Sequence, residues 1–332
     1  MAEMNFVSNL EGVEVVPESY VCPPEKRPDV AVKKTIPVLD FATHDRALLF
    51  QKILDSTHEF GFFQVINHGV PKKLVEETMS IFMEFHSMSP YDKRRECSKD
   101  NKSCRVFTSS NNYENEQTHF WRDCLALTCH PLDKNIHFWP QNPPKFREVV
   151  RTYCVAMEKF SWEIIDMISE GLGLEKGYLE GEMSSNRRIT ANHYPICPNP
   201  SLTLGLNQHC DRNLITILFQ DANGLQVFKD GHWISFDSVD DAFLINFGYL
   251  FEVISNGKLK ATEHRVVTNA KASRQSLGYF IFPENDVIIE PAKCLINEAN
   301  PARYRSLELE DFYRHFFAVS TNTEETMKYI LA

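Results

Sequence analysis

A mainly β fold with added helices is what three features of this sequence predict: a double-stranded β-helix (jelly-roll) core, preceded by an N-terminal helical region and closed by a C-terminal helix. First, short runs rich in β-branched and aromatic residues alternate with turn signals at 189–193, 214–220, 225–228, 233–236, 243–247, 263–267, 277–282 and 287–289. About eight short strands at such spacing suggest two packed antiparallel sheets, and the mouth of such a barrel is a natural ligand cavity. Second, apolar residues recur at helical spacing in three stretches ahead of these runs. Third, a last helical pattern follows Leu307, with Phe312, Phe316 and Phe317 on it.

Residues 1–35, with Pro17, Pro23, Pro24 and Pro28 among charges, read as an extended arm closing over the body. A short strand is expected at 36–41. Over 45–60 the apolar positions Leu48, Leu49, Ile53 and Leu54, with Gly61 just beyond, fit an amphipathic helix with a glycine stop. A buried strand at 62–67 follows, then a helix opened by Pro71 and lined by Leu74, Val75, Met79, Phe82 and Phe85. Between 92 and 140 the periodicity weakens and polar residues crowd 101–117, as in loops that carry function on a rigid scaffold. Helical spacing returns over 146–172, with Val149, Val150, Met157, Phe160, Ile164 and Ile168 as the core stripe. With no long Gly/Ser-rich or Pro-rich linker, the segments 1–35, 36–180, 185–285 and 286–332 are expected to form one compact unit.

The chain has 332 residues, 43% of them hydrophobic and 12% aromatic, enough for a large core and for a pocket enclosing an organic molecule. A formal charge of -10 without a basic stripe argues against a nucleic-acid partner. No apolar run approaches twenty residues, so no membrane span is expected, and the opening segment lacks the basic and apolar regions of a secretory signal. Nine cysteines, an odd number without a CxxC pair or scaffold spacing, fit a reducing cytoplasmic compartment. A monomer is expected.

The most telling segment is Asn207-Gln208-His209-Cys210-Asp211, taken with His264 some fifty residues later. Two imidazoles and one carboxylate form a facial ligand set that holds non-haem Fe(II) and leaves three positions open. Alternation at a strand end puts His209 and Asp211 on one side and Cys210 on the other. Downstream, Arg274 and Ser276 stand two apart, where a guanidinium fork and a hydroxyl can hold a distal carboxylate. Upstream, Asn192 and Tyr194 again share a face.

These residues, in this order, resemble the plant iron(II)- and 2-oxoglutarate-dependent dioxygenases. The likeness covers nearly the whole chain, from Ile36-Pro37-Val38-Leu39-Asp40 through Gly61-Phe62-Phe63-Gln64-Val65-Ile66-Asn67-His68-Gly69 to the final helix. It implies that His209, Asp211 and His264 bind Fe(II), that Arg274, Ser276 and Tyr194 bind the distal carboxylate of 2-oxoglutarate, and that Asn192 lies near its chelating end. It also implies O2 as co-substrate and ascorbate as a stimulant. The family commonly has a tyrosine where His193 stands, a small hydroxylic residue where Cys210 stands, and Gly-Asp where Gly248-Tyr249 stands. Cys210 then either packs as a small hydrophobe or is open to oxidation beside the iron.

Within the family, Phe120-Trp121-Arg122-Asp123 and Cys129-His130-Pro131-Leu132-Asp133 look most like the hyoscyamine hydroxylase group. That implies hydroxylation of a small plant specialised metabolite, with a tropane-like alkaloid first and a flavonoid, phenolic or hormone as the alternative. Glu116 would pair with a protonated amine, and Phe107, Tyr113, Phe120, Leu125 and Phe282 would line the pocket. Relatives that activate oxygen without 2-oxoglutarate, and a catalytically silent metabolite-binding protein, are the other possibilities.

Overall fold

The computed structural model describes residues 6–10, 12–97, 102–110, 113–319 and 322–332. In chain order, β1 (Val32–Lys33) and β2 (Val38–Asp40) lead into α1 (Arg46–Glu59), β3 (Phe62–Ile66), α2 (Lys72–His86) and α3 (Pro90–Glu96). The hairpin β4 (Cys104–Thr108) and β5 (Asp123–Thr128) precedes α4 (Leu132–Asn135) and the long α5 (Phe146–Leu172). The core strands are β6 (Asn186–Tyr194), β7 (Leu204–His209), β8 (Ile215–Gln220), β9 (Leu225–Lys229), β10 (His232–Ser235) and β11 (Phe243–Phe247). After α6 (Tyr249–Ile254) come β12 (His264–Val267), β13 (Arg274–Phe282), β14 (Ile288–Ile289), β15 (Leu307–Glu308), α7 (Leu309–Ala318) and α8 (Thr323–Ile330).

Two sheets face each other, as the strand spacing predicts. The larger has the order β2-β3-β11-β8-β13-β6-β5-β4 and the smaller β1-β10-β9-β12-β7. The larger sheet takes strands from both sides of residue 180, so the N-terminal region and the core share one ladder. Period-two alternation gives this sheet two unlike faces. Phe63, Val65, Leu125, Leu127, Ile189, Ala191, Ile217, Ile245, Leu277 and Tyr279 belong to the main core cluster, together with Val75 and Phe82 of α2 and Met157, Phe160 and Ile164 of α5. The opposite face looks into the barrel, where Phe62, Tyr194 and Leu244 meet Leu225, Val227 and Val266 of the smaller sheet.

Burial explains the scaffold helices. The Asp45 side chain caps α1 by accepting from the Leu48 amide at 2.9 Å, the Ser89 hydroxyl caps α3 in the same way, and Gly173 ends α5 in the left-handed region. In the N-terminal arm Val7, Val16 and Tyr20 cluster with Trp121 and Cys197, and the amides of Val7 and Ser8 donate to the Asp123 carboxylate. The β4–β5 hairpin is a departure from the sequence reading. Strands Cys104–Thr108 and Asp123–Thr128 extend the larger sheet within the segment whose weak periodicity suggests loops.

Candidate active site

β7 and β12 bring the two imidazoles together. His209, the last residue of β7, lies directly across from His264, the first residue of β12, with ring centroids 4.2 Å apart. Beyond His209 the chain leaves the ladder, and Asp211 turns its carboxylate to the same point. Its Oδ1 is 3.7 Å from His209 Nε2 and 3.9 Å from His264 Nε2. The three candidate ligating atoms lie within 4.8 Å of one another, grouped around one point that a metal ion could share.

Neighbouring groups orient all three. His209 Nδ1 is 2.8 Å from the Asn207 carbonyl, and His264 Nδ1 is 3.0 Å from the Thr262 carbonyl. A carbonyl only accepts, so each Nδ1 carries the proton and each Nε2 presents a lone pair. Asp211 Oδ2 accepts from the Thr216 hydroxyl at 2.6 Å and the Asn246 amide at 2.8 Å, which leaves Oδ1 for an ion. Thr216 and Asn246 were not singled out in the sequence. The signal was there: Asn246 is the one polar residue in Phe243-Leu244-Ile245-Asn246-Phe247.

Charge and burial keep the set ready to ligate. Burial, with the nearby His264, pulls the His209 pKa down to about 3 against the opposing pull of Asp211 and the Asn207 carbonyl. Burial works to raise the Asp211 pKa, but the two histidines and the Thr216 and Asn246 donors outweigh it and hold the carboxyl below its usual range. Burial also depresses buried His86 well below the ordinary imidazole value. His209 and His86 therefore bind protons more weakly in the folded protein than in the unfolded chain. Their stabilising contribution is complete above the unfolded value of about 6.5 and is lost as pH falls from there toward the folded values. The metal-free protein is expected to lose up to about 1.4 kcal/mol per pH unit per histidine over that window. Urea midpoints at pH 7.5 and pH 5 check this, and equal midpoints would contradict it.

Register places the second group of residues. In the β13–β6 ladder Arg274 faces Tyr194 and Ser276 faces Asn192. The Arg274 guanidinium lies 4.8 Å from the Tyr194 ring centroid, donates from Nε to the Ala222 carbonyl at 3.1 Å, and donates from Nη2 to Gln220 Oε1 at 2.6 Å. Among the described residues its Nη1 is buried without a partner. A buried, unsatisfied guanidinium donor is costly, and an anionic ligand's carboxylate is the group that would satisfy it. Asn192 Nδ2 donates to Ser276 Oγ at 3.4 Å, and Asn192 Oδ1 accepts from Arg122 Nη1 at 3.1 Å. Arg122 is a further residue of the site, which spacing alone does not single out. Its charge lies close enough to His209 to help lower that pKa.

The remaining candidates are dispersed. Phe107 pairs with Cys124, which in turn pairs with Asn192, so Phe107 shares the face of Asn192 and Ser276. Phe282 shares that face at the far end of β13. Tyr113 stacks on His119 at 3.9 Å, and the half-buried Phe120 donates its amide to Ser109 Oγ. Leu125 corrects the expectation: it is fully buried in the core cluster on the helix-packed face, opposite Ala191, because alternation turns Cys124 and Ala126 inward instead. Cys210 is buried beside the core and burial pushes its thiol pKa up, so it stays protonated, as a packing residue would. Glu116 is tied into its own loop, accepting from the hydroxyls of Ser109 and Ser110 and pairing with His119 at 3.0 Å.

Residues 185–283 match the 2OG-Fe(II) oxygenase superfamily, and residues 36–143 match the family described as non-haem dioxygenase in morphine synthesis N-terminal. The chain is 39% identical over 321 residues to hyoscyamine 6-dioxygenase of Hyoscyamus niger, covering 92% of this chain and 93% of that protein. The chain belongs to the plant 2OG-Fe(II) dioxygenases. This dioxygenase is also 37% identical to flavanone 3-dioxygenase 2 of Oryza sativa subsp. japonica, over 95% of this chain and 94% of that protein. Its fold matches the crystal structure of JOX2 in complex with 2OG, Fe and JA, with a TM-score of 0.87 and 29% identity, covering 98% of this chain and 97% of that one.

The dioxygenase packs Arg274 against a glycine. A Cβ on Gly224 would lie 2.9 Å from Arg274 Cδ and 3.2 Å from the Val267 carbonyl oxygen. Gly224→Ala is expected to displace the guanidinium and raise the KM for 2-oxoglutarate by about tenfold with a smaller change in kcat. Steady-state kinetics with varied 2-oxoglutarate check this, and an unchanged KM would contradict it.

Proposed function

We propose that this dioxygenase hydroxylates a C–H bond of a small plant specialised metabolite, with His209, Asp211 and His264 holding Fe(II) and Arg274, Ser276 and Tyr194 holding the distal carboxylate of 2-oxoglutarate. One observation carries it: three ligating atoms converge within 4.8 Å, on the same barrel interior as a buried guanidinium nitrogen that lacks a partner. The donor set fits Fe(II), since two neutral imidazoles and one carboxylate leave half of an octahedral sphere open. Bound Fe(II) with O2 supplies the oxidising power, one oxygen atom ending in the substrate hydroxyl and the other in succinate as 2-oxoglutarate loses CO2.

The chain's own residues orient the reactants. Thr216 and Asn246 fix the Asp211 carboxylate, the Asn207 and Thr262 carbonyls fix the imidazole tautomers, and Asn192 links Ser276 to Arg122. Ascorbate is expected to stimulate by keeping iron reduced. The cysteine pattern supports a cytosolic setting, and among the described residues no helix is long and apolar enough to cross a membrane. The intact ligand set speaks against a silent binding protein.

A tropane-like alkaloid draws support from the identity with hyoscyamine 6-dioxygenase. Its expected counter-ion does not: Glu116 already has three partners in its loop and is left little capacity to meet an ammonium group. Succinate release from the iron-loaded enzyme, followed across a panel of small metabolites, tests the assignment. Substrate-stimulated release that depends strictly on 2-oxoglutarate is the expected result. Turnover without 2-oxoglutarate would instead place the enzyme with the relatives that do not use it.

A further inference from the structure

Two arginines stand at the end of the barrel away from Arg274, and among the described residues neither forms a salt bridge, although Arg212 feels the charge of neighbouring Asp211. Arg188 lies on β6, on the same face as Asn192 and Tyr194, and pairs with Phe280 of β13. Phe280 in turn pairs with Thr216, the residue that donates to Asp211. Arg212 follows Asp211 directly. Both guanidinium groups converge on one ring: Arg188 is 5.7 Å and Arg212 5.4 Å from the Phe282 centroid. Arg212 is further walled by Tyr313 at 5.7 Å, Phe316 at 5.9 Å and Phe317 at 4.9 Å, all on the closing helix α7.

Aromatic faces attract the positive charge but do not accept all five in-plane N–H donors of a guanidinium. Among the described residues neither arginine forms an ion pair, and Arg188 Nε is buried without a partner. The carboxylate of Asp211 is committed: Oδ2 to Thr216 and Asn246, Oδ1 to the point shared with His209 and His264. The other cations of the site are committed too, Arg122 to Ser109 and Asn192, and Arg274 to Gln220 and Ala222. Two like charges held beside one apolar ring repel, and a shared anion is what would offset them. Arg274 and Phe282 are eight residues apart on β13, about 26 Å. The cosubstrate clamp and this arginine pair therefore lie at opposite ends of the same face.

We propose that the substrate is a small apolar carboxylic acid whose carboxylate is held between Arg188 and Arg212, with Phe282 and Tyr313 against its hydrocarbon part. This deepens the function proposed above and rests on that site being a working dioxygenase. It replaces an amine as the expected substrate class, because among the described residues the two arginines form no salt bridge and Arg188 Nε is buried without a partner.

The test uses the full-length enzyme loaded with Fe(II) and 2-oxoglutarate under anaerobic conditions. Matched probes are added: 3-phenylpropionic acid, its methyl ester and 3-phenylpropylamine, then the cyclohexyl and naphthyl homologues of each. Perturbation of the chelate's visible charge-transfer band reports binding. The acids are expected to bind about 10- to 100-fold more tightly than their esters and amines. Arg212→Met and Arg188→Met should each erase that preference while the band itself remains, and Arg188→Glu should shift it toward the amines. Acids that bind no better than their esters, or a preference for acids that survives both methionine variants, would overturn the proposal. A wild-type enzyme that shows no band at all would instead overturn the dioxygenase site itself.

Discussion

Asp211→Asn is expected to lower kcat/KM by at least about 10³-fold and to strip the protein of iron, while leaving it folded. The substitution keeps the shape and removes the charge. If the new amide oxygen keeps accepting from Thr216 and Asn246, its NH2 group faces His209 and His264, where a metal ligand is needed and a donor is useless. If the amide flips, its NH2 group meets the Asn246 amide, donor against donor. Either orientation spoils the site. Metal analysis after Fe(II) loading and succinate assays measure the effect, with circular dichroism to confirm folding. A variant that retains stoichiometric iron and near-normal turnover would contradict the assigned role of Asp211.

Arg274→Met should act at the other end of the cosubstrate, raising the KM for 2-oxoglutarate by about 10²- to 10³-fold, as expected for loss of a buried charge-assisted contact worth about 3–4 kcal/mol. Methionine keeps the side chain long and apolar against Tyr194 and removes the Nη1 donor that has no protein partner. Iron binding should be unaffected, because Arg274 touches none of the three candidate ligands. Kinetics with varied 2-oxoglutarate, set beside iron content, separate the two ends of the site. An unchanged KM, or loss of iron together with loss of 2-oxoglutarate affinity, would count against this division of labour.

Much of the architecture is legible in the sequence because it follows from period. The strands 214–220, 243–247 and 277–282 are largely buried on both faces and read as mostly apolar runs, and the β13–β6 ladder matches the spacing of Arg274, Ser276, Asn192 and Tyr194. What was not legible depends on partners distant in sequence. The β4–β5 hairpin carries Arg105, Arg122 and Asp123 among short apolar stretches, and becomes a sheet edge only because β6 is there to pair with it. The family resemblance places Leu125 in the pocket, yet alternation along β5 sends it into the core. The resemblance to the hyoscyamine hydroxylase pattern makes Glu116 a counter-ion, because a sequence pattern cannot show that Ser109, Ser110 and His119 already bond to it. Arg188 and Arg212, twenty-four residues apart, become a pair only when β6 and the loop after β7 come together beside Phe282.

The central claim is that His209, Asp211, His264 and Arg274 together assemble an iron and 2-oxoglutarate site. Anaerobic addition of Fe(II) and then 2-oxoglutarate to the metal-free protein tests it without knowledge of the substrate. The weak visible charge-transfer band of an iron-chelated 2-oxo acid should appear in the wild type. It should vanish in His264→Ala, and in Arg274→Met it should need about 10²-fold more 2-oxoglutarate. A correctly folded wild-type protein that binds Fe(II) yet gives no band at saturating 2-oxoglutarate would contradict it.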